Sequence, residues 1–150
     1  MKKFKFSLDS VLSYKQQVLE SLQGEHAAIL AQVREQEAVL ERAWQDYRDC
    51  DGEYRQKKEQ GITITDAMVY QNGLRVLERD IQRETDRLEE LRRKEEKKRQ
   101  EVVDAKIDTS SIEKLREKKL DLYNKEVAKG EEVLIDEFVS SARARTSIGA

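Results

Sequence analysis

One histidine, His26, and one cysteine, Cys50, are the side chains of this sequence best suited to metal ligation or nucleophilic catalysis. A structural zinc site needs four convergent ligands. Two lone candidates so far apart along a helix cannot supply them. Carboxylates abound, with 31 Asp and Glu against 29 Lys and Arg. Glu113 and Glu117, flanked by Lys114 and Lys118, have the spacing of ion-paired neighbours on an exposed helix. They do not face one another across a cleft as a general acid and base must. No glycine-rich phosphate loop of the GxxxxGK[ST] kind occurs. The sequence therefore predicts no enzyme, no cofactor, no metal and no small-molecule substrate.

The remaining chemistry is that of surfaces. The net charge is −2, so nothing global draws nucleic acid. The most basic internal stretch is Arg92-Arg93-Lys94 with Lys97-Lys98-Arg99. Glu95 and Glu96 interrupt it and no aromatic residue interleaves to stack on bases, so it reads as a solvated helix face. The chain ends differ. Lys2, Lys3 and Lys5 open the sequence, and Arg143 and Arg145 follow the last acid, Glu137. Basic ends on a near-neutral chain suggest an acidic partner surface. The single Cys50 excludes an internal disulfide and fits a reducing cytosol. No apolar run approaches the roughly 20 residues of a membrane span. Membrane association is expected to be peripheral.

Two ladders with alternating steps of three and four position these surfaces. The first runs Leu8, Leu12, Lys15, Leu19, Leu22, His26, Ile29, Val33, Gln36, Leu40, Ala43, Tyr47, Cys50, Tyr54, Lys57. The second runs Ala67, Tyr70, Leu74, Leu77, Ile81, Glu84, Leu88, Leu91, Glu95, Lys98, Val102, Ala105, Thr109, Ile112. A mean step of about 3.5 marks helices that wrap around one another. The composition, 40% charged, 6% aromatic and without proline, suits the narrow apolar stripe of a coiled coil better than a globular core. The expected fold is all-α: a single domain over residues 1–150, built as a long two-helix antiparallel coiled-coil hairpin.

Helix one is expected over about 7–60, with Ser7 as N-cap, Asp9 in the first turn, and Phe6 and Val11 as a hydrophobic staple. Gly61 supplies the C′ position and residues 61–65 the turn. Helix two is expected over about 66–142, with Thr65 as N-cap and Ile64 and Val69 as a second staple. Gly52 and Gly73 lie inside helices near the tip, as soft points or places of close backbone approach. Pairing Tyr54 with Tyr70 fixes a register that also pairs Cys50 with Leu74, Tyr47 with Leu77, Ala43 with Ile81, Val33 with Leu91, Leu22 with Val102, Leu19 with Ala105 and Leu12 with Ile112. That register centres the turn on Ile62, where Gly61 independently places it.

The register sets Leu40 against Glu84, Gln36 against Leu88, Ile29 against Glu95 and His26 against Lys98. These layers cost stability, and their long stems are expected to snorkel outward. After Ile112 the apolar phase shifts, with a kink or helix restart expected near 108–111. Leu8 falls opposite Arg116, so residues beyond about 117 are expected to overhang without a partner in helix one.

The segment Phe4-Lys5-Phe6-Ser7-Leu8-Asp9-Ser10-Val11-Leu12 resembles the aromatic-rich start of the FliJ family, small coiled-coil components of the flagellar type III export apparatus. The tip Gly61-Ile62-Thr63-Ile64-Thr65-Asp66-Ala67-Met68-Val69-Tyr70-Gln71 is similar to that family's hairpin. Glu113-Lys114-Leu115-Arg116-Glu117-Lys118-Lys119 and Asp136-Glu137-Phe138 are similar to its closing helix. The resemblance spans essentially the whole chain. Gly73 departs from it, where a larger apolar residue is expected.

The resemblance implies a non-enzymatic stalk, like that of rotary ATPases, held in the pore of the hexameric flagellar export ATPase. Its far end would touch the cytoplasmic domain of the membrane export gate protein, and it would assist escort of export chaperones. It would act in the cytoplasm, peripherally on the cytoplasmic face of the membrane. A hairpin of about 80 Å is long enough to bridge two assemblies. On that reading Tyr47, Tyr54, Tyr70, Leu74 and Leu77 are the gate-contact candidates. Leu115, Leu120, Tyr123, Val127, Leu134, Phe138, Arg143 and Arg145 are the ATPase-contact candidates. Two alternatives are a stalk of a virulence-type secretion or other rotary ATPase, and a coiled-coil holdase chaperone. A pull-down from lysate separates them: a holdase captures many unfolded proteins, a stalk one dominant ATPase.

Overall fold

The computed structural model describes residues 2–148, and two helices account for nearly all of them. Helix α1 spans Asp9–Gln60 and α2 spans Ile64–Ile148. They pack antiparallel as a helical hairpin, with no strand among the described residues. The chain divides into two compact units, one of residues 1–19 with 104–150 and one of residues 20–103.

In the 20–103 unit the turn is shorter than the sequence suggests. Gly61 has φ +92°, the left-handed conformation that ends a helix cheaply only at glycine, and its N–H donates to the Lys58 carbonyl at 3.3 Å. Thr63, not Thr65, caps α2. Its carbonyl accepts the Ala67 N–H at 3.0 Å and its Oγ1 accepts the Asp66 N–H at 3.1 Å. The helix starts early because Thr63 satisfies an orphan donor three residues on, which leaves Thr65 inside the first turn. Ile64 and Val69 are consequently exposed and form no staple.

The Tyr54–Tyr70 pair on which the expected register rests is present, with stacked rings 5.3 Å apart. Beside it, a Cβ built on Gly73 would lie 3.8 Å from Cys50 Sγ, so the helices approach closely there. Gly52 faces open space. Val33, Tyr54, Ile81 and Leu88 form the buried core of this unit. All four are ladder positions.

The polar layers differ from expectation. Glu84 stays buried and does not snorkel outward. Gln36 donates to its carboxylate at 2.6 Å and to its backbone carbonyl at 3.0 Å. His26 pairs with Glu95 at 2.9 Å, and Lys98 reaches Glu25 at 2.9 Å and Glu101 at 2.8 Å. The expected cross-partners of Gln36 and Glu84 are Leu88 and Leu40, which offer no hydrogen bonds. The polar groups therefore meet one another diagonally. No buried side-chain nitrogen or oxygen among the described residues lacks a partner.

In the other unit α1 begins at Asp9. Leu8, not Ser7, holds the cap position, since its carbonyl accepts the Leu12 N–H at 2.8 Å. Ser7 and Leu8 form a turn closed by Asp9 N–H to the Phe6 carbonyl at 3.1 Å. Phe6 is buried while Val11 is exposed, so the expected staple is absent: the Phe6 ring serves the core. Helix α2 runs through 108–111 without restarting. Thr109, only 3% exposed, donates to the Ala105 carbonyl at 2.7 Å and lies 3.5 Å from the Lys15 carbonyl. Lys15 pairs with Asp108, and Arg116 with Asp9 at 3.2 Å. These contacts lie within a position or two of the expected register.

Candidate interaction surfaces

The five gate-contact candidates line the interior of the tip. Tyr54 is buried, and Tyr47, Tyr70, Leu74 and Leu77 are half-buried. Lys58 lies over the Tyr54 ring at 3.9 Å, and Lys57 over the Tyr70 ring at 5.7 Å. The Tyr70 hydroxyl holds the Lys57 ammonium above its ordinary pKa. Tyr47 packs edge-on to Trp44 at 6.0 Å, and its hydroxyl donates to Glu78 at 3.5 Å. Burial first, then the Glu78 and Asp51 carboxylates, raise the Tyr47 pKa.

The apolar surface that water meets near the tip is made by other residues. Ile64 is 82% exposed, Met68 and Val69 in the same first turns of α2 are exposed, and so are Val76 and Trp44 farther along the two helices. The ladders pass these positions by, because they lie outside the 3-4 stripe. Their signal is apolar character where the period demands a polar residue.

The ATPase-contact candidates divide into two groups. Leu120, Tyr123 and Val127 are half-buried, although they lie beyond the start of α1. The expectation of an uncovered overhang from about residue 117 fails here. Residues 2–8 lie along α2, and Phe4 and Lys2 supply Tyr123 with partners. The Phe4 and Tyr123 rings pack 5.6 Å apart, and Arg116 lies 5.4 Å from the Phe4 centroid. The Tyr123 hydroxyl donates to the Lys2 carbonyl at 2.6 Å. Phe4 and Phe6 are isolated aromatics in an aperiodic segment, so periodicity gives no sign that the segment returns.

The second group is exposed. Leu115 stands in the open, and every residue from 131 to 147 is exposed, including Leu134, Phe138, Arg143 and Arg145. Phe138 is 75% exposed, and Val133, Ile135 and Val139 widen the row beyond the two positions read from the sequence. Among the described residues no cross-helix partner covers it.

No group of three or more potential metal ligands occurs among the described residues. Among the described residues no helix is long and apolar enough to cross a membrane. What the fold defines is a coiled-coil protein with exposed apolar faces on a two-helix scaffold. The family model of the flagellar FliJ protein matches residues 4–147, and the chain belongs to that family. It is thus a flagellar, export-related protein of structural type, with partners in the flagellar export apparatus. No curated protein and no solved structure matches the chain.

Proposed function

We propose that the chain is the non-enzymatic stalk of the flagellar type III export ATPase, linking the ATPase ring to the export gate and assisting chaperone escort. It acts in the cytoplasm, against the cytoplasmic face of the membrane. The observation that carries this reading is the row Val133, Leu134, Ile135, Phe138 and Val139, exposed on α2 and followed by Arg143 and Arg145. Burying an apolar side chain of this size is worth roughly 1.5–3 kcal/mol, so the row favours a partner that covers it. The two arginines favour a partner with acidic walls.

A second surface, at the hairpin tip, engages the cytoplasmic domain of the gate. Exposed Ile64, Met68 and Val69 make the first contact, and Tyr47, Tyr54, Tyr70, Leu74 and Leu77 hold the backbone that presents them. The decisive experiment is a pull-down of the purified ATPase ring with the full chain and its L134D/F138D variant. Both positions are exposed, so helicity by circular dichroism should be unchanged. The variant should lose ring binding by at least about tenfold, a change of about 1.4 kcal/mol. Unchanged ring affinity would move the ATPase contact elsewhere on the chain.

A further inference from the structure

Where residues 2–7 return along α2 they leave a groove of about 1070 Å³. Its apolar lining is Phe4, Phe6, Leu122 and Tyr123, and its charged lining is Lys2, Lys3, Lys5, Lys119 and Glu126. The four ammonium groups are exposed, and none has an ion pair among the described residues. Four cations against one carboxylate make this a strongly single-signed concavity on a chain of net charge −2. Nearby lysines show how such groups are otherwise used. Lys15 pairs with Asp108, and Lys125 with Asp121 at 3.4 Å.

We propose that this groove is a docking site for an acidic peptide segment that carries an apolar anchor. Carboxylates of the segment engage the lysines at the rim. Its apolar side chain enters over Leu122, which is more than half exposed, beside the Tyr123 ring. Charge at the rim speeds encounter and selects sign, and the apolar floor supplies the slow-dissociating contact. The site lies apart in sequence from the Val133–Val139 row and does not depend on what that row binds.

An anionic membrane is the rival ligand for a basic, aromatic segment. The geometry disfavours it. Phe6 is 7% exposed and Phe4 is held between Tyr123 and Arg116, so neither ring is free to enter a bilayer. The lysines also surround a concavity, which fits a chain better than a flat headgroup layer.

The test uses the full chain, its K3E/K119E variant and the L134D/F138D variant. The probe is a fluorescein-labelled short peptide with carboxylates on both sides of one Phe. A peptide with those acids replaced by lysine is the control. Anionic phosphatidylglycerol vesicles form a separate arm. The acidic peptide should bind the wild type and weaken with added salt. K3E/K119E should lower its affinity at least about tenfold. A photo-crosslinker at Leu122 should capture it. L134D/F138D should bind it as the wild type does, whatever that variant does to the ATPase ring. Failure of the ring assay would leave the peptide result standing. No peptide binding, equal binding by wild type and K3E/K119E, or charge-dependent binding to vesicles alone would overturn the proposal.

Discussion

Gln36 and Glu84 meet across the two helices, the amide of one donating to both the carboxylate and the backbone carbonyl of the other. Arg87 at 3.4 Å and Arg83 at 3.6 Å flank the same carboxylate. Its pKa is lowered chiefly by the Gln36 hydrogen bond, against the upward pull of burial, with Arg87 and Arg83 assisting. A polar layer of this kind costs stability compared with an apolar one, but it penalises slipped registers. Glu84→Ala should destabilise the chain by about 1–3 kcal/mol, because it strands a half-buried amide. The Q36L/E84L double variant should be as stable as the wild type or more so. Urea melts followed by circular dichroism measure both.

The same pair sets a pH dependence. The folded state holds Glu84 below its ordinary value of 4.5, so its contribution is fully present above that value. It is lost as pH falls from there through the lowered folded value. Glu101, lowered chiefly by its hydrogen bond with Lys98, acts in the same direction. Lys98, raised by Glu101 and then Glu25, stays charged throughout that window. Thermal midpoints should therefore drop between about pH 5 and pH 3, and the drop should be smaller in Q36L/E84L. Equal drops in the two proteins would remove Glu84 as a contributor.

At the hairpin tip the prediction separates packing from contact. Tyr54→Ala removes a buried, stacked ring and should cost about 3 kcal/mol. Its effect on gate binding should track lost structure near the tip, read by hydrogen exchange. Ile64→Ser and Met68→Ser change exposed side chains and should alter stability by less than about 0.5 kcal/mol. They should nonetheless weaken gate binding. If Ile64→Ser and Met68→Ser bind the gate normally while a helical Tyr54→Ala does not, the ring itself is the contact.

The legible part of this fold is the part that repeats. Two 3-4 ladders and one Gly61 are enough to place two helices, the turn between them, and Tyr54 against Tyr70. Three features escape that logic. Thr63 and Thr65 are equally good cap types, and only the Thr63 hydrogen bonds decide between them. Glu84 occupies a core position with no sequence sign that Gln36, one turn out of step, satisfies it. Phe4 and Phe6 belong to no periodic element, so their return to cover Tyr123 has no pattern to announce it. Of the surfaces, the exposed Leu134 and Phe138 were readable from α2 outlasting α1. Ile64 fits a staple only with the cap at Thr65, two residues beyond the Thr63 that holds it.

The turn offers a compact test of that correction. Thr63→Ala should cost about 1 kcal/mol and Thr65→Ala far less. Gly61→Ala forces a side chain into a left-handed backbone and should cost about 1–2 kcal/mol. Gly52→Ala should instead stabilise by up to about 1 kcal/mol, since it is helical and faces open space. Four chemical-denaturation curves decide the matter, and comparable losses at Thr63 and Thr65 would contradict the cap assignment.

The final prediction concerns the returning N-terminal segment. Phe6 is its buried anchor, and the Tyr123 hydroxyl ties down the Lys2 carbonyl. Phe6→Ala should cost about 3 kcal/mol if the segment docks as one piece with the core of its unit. Tyr123→Phe keeps the ring against Phe4 but deletes the hydrogen bond, so it should cost only about 1 kcal/mol. Amide hydrogen exchange should rise over residues 2–8 in both variants, further in Phe6→Ala. The exposed 131–147 stretch already lacks a covering partner and should exchange alike in all three proteins. A Phe6→Ala protein with wild-type stability and unchanged exchange at residues 2–8 would show that the segment does not hold α2 in solution. Leu120, Tyr123 and Val127 would then join the uncovered row.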